Sequence, residues 1–507
     1  MLKLCVVLCA AVSLGHGLEK LQQVFQWQAL DYEYPTEEMR QYAKFHKDFI
    51  PENNLPVGIE LWQNKLFVTV PRWEDGVPST LNYIPVDSAT TMSPNLIPYP
   101  SWEANQVPSQ AQDQCDTLTT TYRIKADSCD RLWVLDSGTV GIGNTTKQIC
   151  PYAIHVFDLK TDQRIRKYQF RPEDIKEGTF IANIAIDVGK SCEDTFLYAS
   201  DELAYGLLSY SWELNTSWRA SHGFFFPDPL LGEFNIAGLT FHWFPEGIFG
   251  ITLTPPEADG FKNLLFQPIA SNSEFAVSTR VLRNKTLAES VELSYNQYVK
   301  IGDRGLDGHL SAHVMDHNGI LFFNLIDRNA VGCWNSLNPY RPEYIGHVDM
   351  DNEALIFPSD VKVVGDDLWV ISDRMPIHLE SEAGLNFNDV NFRIFTVPIR
   401  NAVRGTVCDG PLSETNYQTP RSVSQSYHVD NNLLYSTHQS YKPYYGQQDV
   451  APKNFFSKKI FVRPEFPSYV TDPQASPFTP SNQLPGAVPS YSPSGHTWSY
   501  NKFNYNN

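Results

Sequence analysis

One pattern recurs along this chain: a polar turn, a run of apolar and aromatic residues, and usually an acidic residue close behind. Its six copies are "NKLFVTVPR" from Asn64, "CDRLWVLDSG" from Cys129, "DTFLYASDE" from Asp194, "EGIFGITLTP" from Glu246, "NGILFFNLID" from Asn318 and "DDLWVISDR" from Asp366. Self-similarity at an interval of roughly 60 residues is the mark of a repeat architecture. Just upstream of the copies stand "VGIEL", "TYRIK", "NIAID", "GLTFH", "AHVMD" and "DVKVV", each separated from its copy by turn residues. Two β-rich runs joined by such a turn predict a hairpin. Further strand candidates follow, among them "STLNYIPV", "YAIHVFDL", "LLSYSW", "LLFQPIA" and "FRIFTVPI". Each unit therefore has room for three or four strands and almost no helix. Six such units predict an all-β, six-bladed β-propeller, because each blade covers its neighbours and ring closure protects the sheet edges. The early segment "VFQWQALDYEY" is predicted to complete the last blade.

The flanks read differently. Lys3 followed by "LCVVLCAAVSL" and "GHG" predicts a signal peptide over residues 1–17. Its apolar run is shorter than the roughly 20 residues that span a bilayer, and no transmembrane segment is expected. The propeller is expected over 18–409. Residues 410–507 turn rich in Pro, Ser, Asn, Gln and Tyr, which predicts a disordered tail, as such a composition buries too little apolar surface to offset ordering entropy. Its scattered tyrosines fit either ordinary low complexity or a tail that interacts with, or is oxidatively linked to, an extracellular matrix.

Export directs the reading of the cysteines. Cys5 and Cys9 leave with the signal, so Cys115, Cys129, Cys150, Cys192, Cys333 and Cys408 remain as disulfide candidates of open connectivity. Sequons at Asn144, Asn215 and Asn284 predict glycosylation. With Lys+Arg at 39 and Asp+Glu at 57, the net charge of −18 argues against a nucleic-acid partner, which needs a basic face.

A propeller's small-molecule site usually lies in or over its channel. If the first strand of each hairpin is innermost, Thr121, Asn183, Asn235, His313 and Asp360 form a polar ring there. His313 with Asp360 or Asn183 is the candidate catalytic pair, Asn183 holding a ring oxygen, since an imidazole titrates near neutrality. A second set, Asp136, Asp201, Glu202, Asp327 and Asp373, closes the repeated strands and suits turn clamping better than catalysis. His309, His313 and His317 stand four apart, but on a strand-and-turn pattern rather than a helix, and no metal is expected. The sequence has no Gly-x-Ser-x-Gly elbow, P-loop or dinucleotide fingerprint, and no cofactor is expected.

Five stretches carry a family resemblance: "FVTVPRWEDGVPSTLNYI" at Phe67, "CDRLWVLDSGTVGIGNTT" at Cys129, "FAVSTRVLR" at Phe275, "NAVGCW" at Asn329 and "SDRMP" at Ser372. From about Leu21 to Cys408 the chain resembles the yellow/major royal jelly protein family of insects, and "GTVGIGNTT" and "FFFPDPLLGEFNIAG" stand nearest its body-colour branch. The resemblance implies a secreted propeller of cuticle melanin pigmentation. Its partners would be catecholamine or dopachrome-like small molecules, and the cuticle matrix. Relatives differ in activity, so two readings follow: a protein that binds melanin precursors, or a dopachrome-converting enzyme of the tautomerase or decarboxylase type. A purely structural cuticle component is a third. Two motifs depart from the family pattern. Ala204 replaces a usual glycine in Ser200–Gly206, which is costly if that position needs a positive φ. Arg304–Gly308 replaces a usual Arg-Gly-Pro-Asn-Ser.

Overall fold

The alternation of apolar runs and turns builds six four-stranded antiparallel sheets arranged as a six-bladed β-propeller. This computed structural model describes residues 21–87, 89–107, 115–242 and 245–410. The signal and tail readings lie outside the described residues. The innermost strands, from blade 1 to blade 6, are Gly58–Trp62, Thr121–Ala126, Ile181–Val188, Ile248–Leu253, Leu310–Met315 and Pro358–Val364. Each lies beside the innermost strand of the next blade, and the sixth returns to the first. The strand Gln22–Trp27 completes blade 6 from the start of the chain, pairing Gln22 with Thr396 and Trp27 with Phe392.

In five blades the repeated motif is the second strand, as the hairpin pattern predicts. Blade 4 is the exception. There "EGIFGITLTP" supplies the innermost strand, and the second strand is Asn263–Pro268. The upstream "GLTFH" belongs instead to a separate hairpin, Glu233–Ile236 with Leu239–His242. Ala237 at φ 52 and Gly238 at φ 81 make its two-residue turn, the left-handed geometry that matches strand twist. Ile236 anchors the hairpin among Ile269, Ala270, Ile326 and Phe357.

The core lies between blades rather than within one. On the innermost strands one position faces the interior of the second strand: Ile59 opposite Val68, Ile124 opposite Val134, Ile184 opposite Ala199, Ile251 opposite Phe266, His313 opposite Phe323 and Val361 opposite Val370. The aliphatic members pack on the preceding blade; Ile184, for example, meets Trp133 and Ile154 of blade 2. Burying one such side chain contributes about 1.5–3 kcal/mol. All six cysteines among the described residues form disulfides: Cys115–Cys150, Cys129–Cys192 and Cys333–Cys408.

Candidate functional site

The innermost strands begin on one face, called the upper face, and five of the six carry a bulge near that end. Just before the packed position stand Arg123, Asn183, Gly250, Ala312 and Asp360; Gly250 faces Gln267 and His313, and Ala312 packs between blades 5 and 6. Two residues beyond come Lys125, Ala185, Thr252, Val314 and Lys362, with Glu60 at the matching place in blade 1. Arg123 crosses the channel. Its guanidinium donates to the carbonyls of Val57 in blade 1 and Ser359 in blade 6, and stands 5.6 Å from the Phe249 ring of blade 4. Below it an ion-pair lattice closes the bore. Asp360 lies 3.9 Å from Arg123 Nε and 3.4 Å from Lys362 Nζ, and Lys125 Nζ lies 3.0 Å from Glu60. Asp360 also accepts the amides of Ile59 and Val361, each at 3.0 Å.

Above Arg123 is the upper mouth. Most acids closing the repeated strands are turn clamps, as their position suggests. Asp136 accepts the amides of Thr119, Thr120 and Gly138, Asp201 accepts Phe180, and Asp327 accepts His309. Glu202, one residue further on, escapes that duty. Its buried carboxyl shares a hydrogen bond with Glu246. Gly247 permits the approach: a Cβ there would lie 2.4 Å from the Phe225 carbonyl oxygen and 2.9 Å from that of Glu202. Burial, then the neighbouring carboxyl, holds Glu202 well above the ordinary carboxylate range. Burial also raises Glu246, with the charge of Glu380 adding to it. Two carboxyls so placed hold one proton between them. Asp373, at the same end of blade 6, is pushed up to about 7 by burial.

Aromatic rings flank the pair. Tyr122 stands edge-on to Phe180 with centroids 5.1 Å apart, and its hydroxyl accepts from Trp73 Nε1 at 2.8 Å. The arrangement offers carboxylates and ring faces to one small molecule, with Arg123 as a cationic floor.

The residues of the sequence-derived ring are not gathered in one place. Asn183 and Asp360 lie at equivalent channel positions, each accepting the amide of the next residue. Thr121 is buried between blades 1 and 2, donating to the Thr80 carbonyl at 2.7 Å. Asn235 is exposed on the separate hairpin, where it accepts from Thr240, so its expected place on an innermost strand is corrected. His313 takes the packed position and turns its ring into blade 4, with Nδ1 3.6 Å from Glu274. Burial and the charge of Arg304 hold it down to about 3, while burial pushes Glu274 up to about 8. His309 pairs with Asp327 at 2.8 Å, and among the described residues no group of His, Cys, Asp or Glu is placed to hold a metal ion. Ala204 is not at positive φ; Tyr205 is, at 50°, so the lost glycine carries no such cost. The sequons Asn144, Asn215 and Asn284 are all exposed.

Residues 119–408 match the family model described as "Major royal jelly protein". The chain is 50% identical over 455 residues to Protein yellow of Drosophila subobscura, covering 88% of this chain and 78% of that one. It is 51% identical over 421 residues to Protein yellow of Drosophila melanogaster, covering 83% and 76%. The chain belongs to the major royal jelly protein family. Among solved structures, a luciferin-regenerating enzyme aligns over 68% of this chain and 92% of its own, at 12% identity and a TM-score of 0.38. At that distance nothing about chemistry follows. Within the family frame, Glu202 was visible in the sequence as one of the strand-closing acids. Glu246 was not, because its motif copy sits one strand further in than the pattern implies. Among the described residues no helix is long and apolar enough to cross a membrane.

Proposed function

We propose that this family member is exported and acts in cuticle melanin pigmentation, holding catecholamine-type melanin precursors at the upper mouth. The observation that carries the reading is the carboxyl pair of buried Glu202 and half-buried Glu246 beside Tyr122 and Phe180. A protonated aromatic amine suits it: the ammonium replaces the shared proton, and the ring lies on the aromatic wall. The three disulfides and exposed sequons accord with export. The test is calorimetric titration of the purified protein with dopamine. Saturable binding that Glu202→Gln weakens at least tenfold supports the reading. Binding unchanged by that substitution moves the ligand elsewhere, and absence of binding removes it.

A second reading, dopachrome conversion, is favoured by one feature. Glu246 and Asp373, each pushed up to about 7 chiefly by burial, place an acid and a base on one face. Tautomerisation needs only a proton taken from carbon and one returned to oxygen. Dopachrome decay, followed with the native protein, Glu246→Gln, Asp373→Asn and His313→Ala, decides it. Acceleration lost in the carboxyl variants but kept in His313→Ala assigns turnover to the mouth. Acceleration lost only in His313→Ala returns it to the imidazole, and no acceleration leaves binding alone.

A further inference from the structure

At the rim of blade 6 a cavity of about 480 Å³ is lined by Gln28, Glu353, Arg374, Asn388, Asp389, Val390 and Arg393. Two guanidiniums converge on it. Arg393 is 7% exposed, and its Nη1 donates to the Val390 carbonyl at 3.1 Å. Arg374, from the "SDRMP" motif, makes only long bonds to neutral oxygens: Asn391 Oδ1 at 3.4 Å and the Glu353 carbonyl at 3.3 Å. Its Nε is buried with no partner. Among the described residues neither arginine has a carboxylate within ion-pair distance, although Arg123, Arg131, Arg171, Arg219, Arg283 and Arg304 all do. Two adjacent like charges, one of them buried, are unfavourable unless an anion joins them.

We propose that this cavity is a binding site for a small organic carboxylate, held in the fork of Arg374 and Arg393. A planar carboxylate matches guanidinium geometry with two parallel hydrogen bonds. The volume lies within the range of small-molecule sites, roughly 300–1,000 Å³, and exceeds what an inorganic ion fills. Glu353 and Asp389, both exposed at the rim, disfavour a second negative charge, which selects a monoanion over phosphate. Burial and then the Arg374 charge push Arg393 below its ordinary range, the charges of Glu353 and Asp351 offsetting them only in part, and a bound anion would reverse that direction. The site also joins the two ends of the ring. Gln28, just past the closing strand, donates to the Asn388 carbonyl at 3.0 Å, and Asn391 donates to the Gln28 carbonyl at 2.9 Å. A ligand there ties these segments together and raises the melting temperature.

The test titrates the full chain, in low-chloride buffer, with acetate, benzoate and inorganic phosphate, reading heat and melting temperature. Saturable carboxylate binding is expected, with benzoate tighter than acetate and phosphate weakest. Arg374→Gln should weaken benzoate at least tenfold. Glu353→Gln, a surface change that leaves the fold alone, should tighten phosphate several-fold, a gain that general damage does not produce. Phosphate binding tighter than either carboxylate overturns the ligand class. No saturable binding, or benzoate affinity equal in Arg374→Gln and the native chain, overturns the site. Dopamine binding at the mouth is unaffected in either variant, which separates this result from the fate of the proposed function.

Discussion

Gly247 is a small residue with a large consequence. Because it admits the Glu202 and Phe225 carbonyls where a side chain would stand, buried Glu202 meets half-buried Glu246 at the mouth and shares a proton with it. The pair is costly to the free protein. A carboxyl whose folded pKa lies above its unfolded value keeps a proton that the unfolded chain gives up, so stability falls as pH rises above the unfolded value of about 4.3. Glu202→Gln removes that penalty. Its melting temperature should equal the native one near pH 4 and exceed it by a few degrees at pH 8, measured by calorimetry at both values. The same proton sets ligand affinity. A cationic amine needs the pair ionised, so dopamine affinity should fall as pH drops below neutrality. Proton release at pH 6 should appear as a dependence of binding heat on the buffer's ionisation enthalpy. Lack of both effects would mean that the pair does not face the ligand. His313 shows where sequence reading stops at this scale. Its strand was legible, yet a bulge shifts which residues reach the channel, and the histidine takes a place that blades 1 to 4 give to isoleucine. Register within a bulged strand depends on the partner strand, which the local pattern does not contain.

At the scale of elements, the second strands were the most legible part because their signal is long: an apolar run, a buried aromatic residue and a clamping acid. Asp136 and Asp201 repay that signal by fixing the loop that leads into their own innermost strand. Blade 4 misleads because its innermost strand copies the motif of a second strand, and an extra hairpin fills the place where a first strand is expected. Cysteine count gave three bridges but no pairing, since pairing depends on which loops the ring brings together. Two bridges join distant elements. Cys129–Cys192 links the turns of blades 2 and 3, and Cys333–Cys408 fastens the segment after blade 6 to blade 5. In the chain-entropy view, a loop of 75 residues closed in the unfolded state is worth about 4 kcal/mol. The double substitution Cys333→Ser with Cys408→Ser should lower the denaturant midpoint accordingly while leaving dopamine affinity within twofold. The bridge lies outside the mouth, so a larger change in affinity would reveal a coupling that the geometry does not contain.

For the whole molecule the decisive feature is the seam. In five blades each strand pairs with its neighbours in sequence, but blade 6 takes its outermost strand from the start of the chain, so Gln28 and Asn391 meet across 363 residues. Closing that loop costs entropy that only the seam's own contacts offset. Trp27 carries much of them: it is buried, its indole donates to the Pro94 carbonyl of the loop beside blade 1 at 2.9 Å, and it packs in a cluster containing Ile59, Ile371 and Ile394. It therefore belongs to blades 6 and 1 at once. Trp27→Ala should cost about 3–5 kcal/mol, the range for emptying a large buried aromatic site. The distribution of that loss is the sharper test. Under mild denaturant, amides of Gly58–Trp62 and Phe392–Pro398 should gain exchange together, while those of Thr195–Asp201 in blade 3 stay protected, because stability need not be uniform across a ring of local units. The six repeats foretell the closure, and the aromatic segment near the start foretells the strand that makes it. Uniform exchange across all six blades in the variant would instead make the propeller a single cooperative unit, with the seam no weaker than any other junction.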